Sequence, residues 1–172
     1  MLTERQGKRL TELARKSVEA AFKGEEFSTT EFPRERGVFV TLHKKSALRG
    51  CIGYPLPVKA LGQSVVETAR AAAFEDPRFP PLAEPELSEV DFEVSVLTVP
   101  KPVEPGEVVV GRDGLLIEAG ARSGLLLPQV PVEEGWSREE FLEALCAKAG
   151  LPARAWKNAR LKAFQAQAFK ED

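Results

Sequence analysis

A chain of 172 residues, 43% hydrophobic and 29% charged, has the composition of a globular protein. A domain near this length buries roughly 70% of its unfolded surface, enough for one core, or for one core with a small lobe attached. The net charge of −2 builds in no long-range attraction to phosphate backbones, and no run of about 18 apolar residues is present to cross a membrane.

The first stretch, 1–13, is polar and helix-like, without the apolar centre of a signal peptide, so a cytoplasmic protein is expected. With His43 as the single histidine and two cysteines, Cys51 and Cys146, a closed tetrahedral zinc site is out of reach within one chain. No metal and no cofactor are expected.

Leu10, Leu13, Ala14, Val18 and Ala21 recur at three- and four-residue steps and predict a helix over 3–22, stopped near Gly24. Residues 37–43 are β-branched and aromatic and read as a strand; 48–54 read as a second extended segment, ended by Pro55 and Pro57. A helix over 58–74 follows, with Val58, Leu61, Val65, Ala69 and Ala72 on one face, closed by Asp76-Pro77. The proline-rich 79–85 reads as a stiff loop.

Residues 90–98 alternate, with Phe92, Val94 and Val96 on one side, as in a half-buried strand. Pro100, Pro102 and Pro105 then argue against regular structure. Residues 114–117 and 124–127 read as a β-hairpin. A helix over 138–149 is expected, capped by Ser137 with Glu140 three residues on. The final stretch, 159–169, alternates and reads as a strand, with a helix as the alternative.

The elements do not alternate strictly, so a doubly wound parallel sheet is not expected. The order predicts an α+β fold with a mainly antiparallel sheet flanked by helices. A stretch near 56–85 is the candidate for a smaller attached lobe.

The most specific segment is Leu48-Arg49-Gly50-Cys51-Ile52-Gly53, after Gly37-Val38-Phe39-Val40-Thr41-Leu42. It resembles the signature of the AMMECR domain family, also met as protein A of the AmmeMemoRadiSam system. The resemblance continues, in order, through Ala73-Phe74, Asp76 to Phe79, Val94 to Leu97, Gly124 to Val130, Glu133, Trp136, Cys146 to Gly150 and Trp156. It implies one AMMECR domain over 1–172, a two-lobed α+β fold, and a cysteine segment near a cleft. It implies no established reaction. Its association with dioxygenase-like and radical S-adenosylmethionine proteins makes those the partners to consider.

On a regular strand Arg49, Cys51 and Gly53 share one face. A guanidinium two positions from a thiol favours the thiolate. Gly50 and Gly53 leave the backbone uncovered for a ligand. Thiolate, cation and open amides together suit attack on a carbonyl, with N–H groups holding an oxyanion. The general base is missing unless His43 shares the face of Cys51, and the hairpin register decides that. The plain alternative is a buried cysteine acting as a small hydrophobe.

Arg78 reads either as half of a local ion pair at a helix stop or as an anion contact. Gln129, with Glu133, either lines a cleft or satisfies loose backbone groups. Cys146 lies on the apolar helix face with Phe141, Leu142 and Leu145, and reads as core; Trp136 and Trp156 read as anchors for that helix. The glycines between 106 and 124 match no phosphate loop and mark turns. Lys44, Lys45 and Arg49 form a basic cluster without the aromatic strand of an RNA-binding sheet, so no nucleic acid is expected.

These residues fit two functions. One is an enzyme or accessory subunit that binds a small polar or anionic ligand at Cys51, with Arg49, Gly50, Gly53, Arg78 and Gln129 as contacts. The other is a non-catalytic module that docks a protein through the 44–53 surface.

Overall fold

The computed structural model of the protein describes residues 1–172. The chain forms two compact units: Met1–Leu97 with Gln167–Asp172, and Thr98–Ala166. An α+β architecture is built on two four-stranded sheets, one in each unit.

The first unit opens with α1 (Glu4–Phe22). Thr3 caps it: its hydroxyl accepts the Gln6 amide while the Gln6 side chain accepts the Thr3 amide, satisfying two donors left open at the helix start. Beyond its end Gly24 takes φ +67°, the left-handed conformation that glycine adopts at no steric cost. Strands β1 (Val38–Lys44) and β2 (Ala47–Tyr54) form a hairpin, and β3 (Val90–Leu97) pairs with the other side of β1. The last strand, β8 (Ala166–Lys170), completes the order β2-β1-β3-β8.

Helix α2 (Leu61–Phe74) begins three residues later than the apolar spacing predicts. Ala60 is held extended, bridged to Glu35, and the Leu61 amide donates to the Arg34 carbonyl. Val58 is therefore off the helix and 72% exposed. The core contains Leu10, Leu13 and Val18 of α1, Val65 and Ala69 of α2, and Val40, Leu42, Phe92 and Val94 of the sheet. Burying each of these valine, leucine and phenylalanine side chains contributes roughly 1.5–3 kcal/mol.

Residues 56–85 do not form a lobe of their own. They lie in the first unit, where Leu61, Ala72 and Leu82 join its core. After Phe79 the loop is shorter than its prolines imply, because Glu84–Glu89 wind into a 3-10 turn.

In the second unit β4 (Lys101–Pro102), β5 (Gly114–Ala119), β6 (Arg122–Leu126) and β7 (Arg160–Phe164) form a sheet in the order β4-β7-β5-β6. Pro102 is tolerated because β4 is an edge strand. The hairpin β5–β6 is tighter than expected, with both strands running up to Gly120 and Ala121. The short α3 (Val130–Glu134) has no counterpart in the sequence reading; α4 (Arg138–Lys148) carries the expected Ser137–Glu140 capping box. Cys146 is fully buried with Phe141, Leu145, Leu115 and Ile117, and Trp136 and Trp156 pack on this cluster. The alternating stretch 159–169 is two strands, broken at Gln165, that enter different sheets.

Candidate functional site

The register of the first hairpin answers the question left open by the sequence. Cys51 pairs with Thr41, between Val40↔Ile52 and Leu42↔Gly50. Val38, Val40 and Leu42 face the core, so Thr41 and Cys51 lie on the opposite face of the sheet. There Cys51 is a partly exposed residue, and the Thr41 hydroxyl donates to Sγ at 3.2 Å. His43 also alternates to this face, but opposite Leu48 and Asp91. The hydroxyl of Thr41, and not the imidazole, holds the sulfur.

Arg49 does not stand beside Cys51. The pairing shifts between Leu42↔Gly50 and His43↔Leu48, so Arg49 is the extra residue of a β-bulge. A bulge breaks the alternation on which the shared face depends. Arg49 is buried, and its Nε and Nη2 fork onto Glu86 at 3.1 Å each. Lys44 donates to the same carboxylate at 2.9 Å, and the Ala83 amide at 2.8 Å. The Arg49 guanidinium, then the Ala83 amide and Lys44, hold the Glu86 carboxyl down to about 2.

The two glycines serve packing. A Cβ on Gly50 would lie 2.1 Å from the Ala72 carbonyl oxygen of α2; one on Gly53 would meet the Phe39 ring at 2.4 Å. The space thought open to a ligand is filled by the protein itself. Gln129 belongs to the second unit, exposed at the start of α3, where its carbonyl accepts the Glu133 amide. Strand β6 before it is only half-buried.

The residue that sequence reasoning missed is Asp76. Its side chain is 2% exposed. Oδ2 accepts the backbone N–H of Cys51 at 2.9 Å and Arg78 Nη2 at 2.7 Å. Oδ1 accepts the backbone N–H and Nε of Arg78, both at 3.0 Å. Arg78 Nη2 also reaches the Cys51 carbonyl at 3.4 Å. The Arg78 guanidinium, together with the Cys51 amide, holds the Asp76 carboxyl far below the usual carboxylate range.

Strand β2 is the outer strand of its sheet, so the N–H and C=O of Cys51 would otherwise face outward unpaired. A carboxylate and a guanidinium take the place of the next strand. Phe79 sits among these charges, its ring centre 5.9 Å from the Arg49 guanidinium and 5.5 Å from that of Arg78. Asp76 was legible only as a helix stop. Its second partner is 25 positions away, and no local spacing announces it.

A separate hollow of about 620 Å3 opens in the first unit between the start of α1 and the end of β8. Several of its charges are matched internally, Lys8 by Asp172 and Arg15 by Glu171. No group of three or more His, Cys, Asp or Glu is placed to hold a metal ion. No helix is long and apolar enough to cross a membrane.

The fold and the site thus define an α+β protein with a partly exposed cysteine on the outer face of an antiparallel sheet. The chain belongs to the AMMECR1 family, whose model matches residues 11–169. A protein of Methanopyrus kandleri is 49% identical, over 99% of this chain and 91% of its own length. A protein of Methanothermobacter thermautotrophicus is 47% identical, over 99% and 97%. The crystal structure of an uncharacterized protein from Pyrococcus horikoshii is similar at a TM-score of 0.84 and 42% identity, covering 99% of this chain and 94% of that one.

Proposed function

We propose that the sheet surface at Cys51 binds a small polar or anionic ligand, in an enzyme or enzyme accessory subunit, with the thiol as the reacting or contacting group. One observation carries this reading. A half-exposed guanidinium, Arg78, is bonded to the peptide of a partly exposed cysteine whose sulfur already accepts a hydroxyl hydrogen bond. The hydroxyl contact engages the sulfur itself, and the edge peptide that Arg78 completes brings an exposed cation to the same residue. The partners to try first are the dioxygenase-like and radical S-adenosylmethionine proteins to which the family resemblance points.

The docking alternative is less well supported. Lys44 is paired with Glu86 and Glu89 and Arg49 is buried on Glu86, which leaves Lys45 as the exposed cation of that cluster.

Alkylation across a pH series tests the proposal, with Cys146 as the internal control because burial pushes its thiol up. Cys51 reacting in the folded protein, with Cys146 silent until unfolding, supports the site. Equal resistance of both thiols until the chain unfolds would remove it.

A further inference from the structure

We propose that Arg78 selects an anionic group on whatever ligand meets Cys51, and that Asp76 is the positioning residue that sets both in place. This rests on the thiol-site reading above and adds to it the chemical class and the group that recognises it.

Attack by a thiol on a neutral carbonyl is helped by backbone N–H groups that hold the developing oxyanion. The N–H of Cys51 is given to Asp76 and is no longer free for that task. Arg49 is forked onto Glu86. What remains against the Cys51 peptide is the outer edge of the Arg78 guanidinium.

That guanidinium is 55% exposed yet firmly placed. Nε and Nη2 are both spent on Asp76, and the Arg78 backbone amide is bound to the same carboxylate. An exposed arginine ordinarily loses rotamer freedom when it grips a ligand. Here that ordering is already complete, and Nη1 is left for a carboxylate or phosphate oxygen.

Asp76 neutralises Arg78 formally, but it lies beneath, at 2% exposure. A ligand therefore meets the cation first and the carboxylate at longer range, where attraction to the one outweighs repulsion from the other. Asp76 holds the cation and the cysteine peptide on one carboxylate, so neither can shift without the other. It touches no ligand in this arrangement. Its role is to position.

The test compares Cys51 alkylation by iodoacetate, an anion, with alkylation by iodoacetamide, its neutral counterpart, at one pH and ionic strength. A short cysteine peptide supplies the reference ratio of the two rates. The folded protein is expected to favour iodoacetate over that reference by about tenfold, an advantage that fades with added salt.

Arg78→Gln is expected to return the ratio to the peptide value while Cys51 still reacts with iodoacetamide. Arg78→Lys should restore part of the preference. Asp76→Asn should lower it with the arginine still present, a loss that a merely structural role in a folded variant would not produce. Circular dichroism establishes that each variant is folded. If Cys51 in the folded protein reacts with both reagents at the peptide ratio, and Arg78→Gln changes nothing, this inference is overturned and the thiol site stands. If neither reagent reaches Cys51, both fall together.

Discussion

Both compact units bury an aspartate against a neighbouring arginine: Asp76 with Arg78 in the first, Asp113 with Arg112 in the second. The pairs match closely. Each carboxylate is 2% exposed, each guanidinium is about half exposed (55% and 53%), and each arginine forks through Nε and Nη2. What differs is the backbone amide each carboxylate reaches. Asp113 accepts Val109 N–H, and its own amide donates back to the Val109 carbonyl, so it closes a turn. Asp76 accepts the N–H of Cys51 on another element of the unit. The same side-chain device is local fastening in one place and a hold on a thiol-bearing strand in the other.

The largest expected effect treats the two aspartates alike. Asp76→Ala and Asp113→Ala each leave a part-buried backbone amide without its carboxylate and unhook an arginine, which should cost about 1–3 kcal/mol in urea denaturation. The comparison is sharpened by a second measurement. Asp76→Ala should alter the rate of Cys51 alkylation at a fixed pH, and Asp113→Ala should leave it at wild type. An equal effect of both on Cys51 would erase the distinction.

The sequence carried much of the fold. Apolar spacing marked α1, α4 and the alternating β3, and Ser137 with Glu140 marked a cap, because these are signals spoken between near neighbours. It misjudged the start of α2, where Ala60 is held by Glu35 across a bridge that no helical period reveals. The site was legible as a segment and not as an arrangement. Cys51 and Arg78 stood out in the sequence by residue type. The bulge that diverts Arg49, and the reach of Asp76 to Cys51, depend on tertiary partners that only the folded chain brings together.

A third carboxylate extends the comparison. Glu86, like Asp76, reaches across the unit, but to Arg49 and Lys44 instead of to the thiol strand's peptide at Cys51. Its folded pKa of about 2 lies below the ordinary glutamate value near 4.3. A lowered pKa stabilises the folded state above the unfolded value and loses that contribution as pH falls through the folded one. Glu86→Gln should therefore cost on the order of 2 kcal/mol at pH 7, with the difference from wild type shrinking between about pH 4.3 and 2. Urea titrations at stepped pH check this; a difference that persists unchanged at pH 2 contradicts it.

A smaller effect of opposite sign belongs to the turn between β1 and β2. Lys45 and Ser46 both take positive φ, 51° and 65°, a two-residue hairpin turn that Asn-Gly fills with less strain. Lys45→Asn with Ser46→Gly should stabilise the protein by about 1 kcal/mol. Cys51 reactivity should not move, because Asp76 and Arg78, and not this turn, hold the Cys51 peptide. A shift in alkylation rate would show that the turn also sets the thiol's position.

The smallest change in stability is expected from the arginines, and it separates the two pairs most sharply. Arg78→Gln and Arg112→Gln each remove a half-exposed partner, and ion pairs of that kind contribute under about 1 kcal/mol. Asp76 keeps the amides of Cys51 and Arg78, and Asp113 keeps that of Val109, so neither carboxylate is left bare. Melting temperatures should fall only slightly in both variants. The preference of Cys51 for an anionic alkylating agent should vanish with Arg78 and survive the loss of Arg112. Two arginines of equal exposure, pairing and stability effect would then differ only in what lies beside them. If removing Arg112 abolished the preference as well, the selectivity would belong to the protein's overall charge and not to the guanidinium at the thiol.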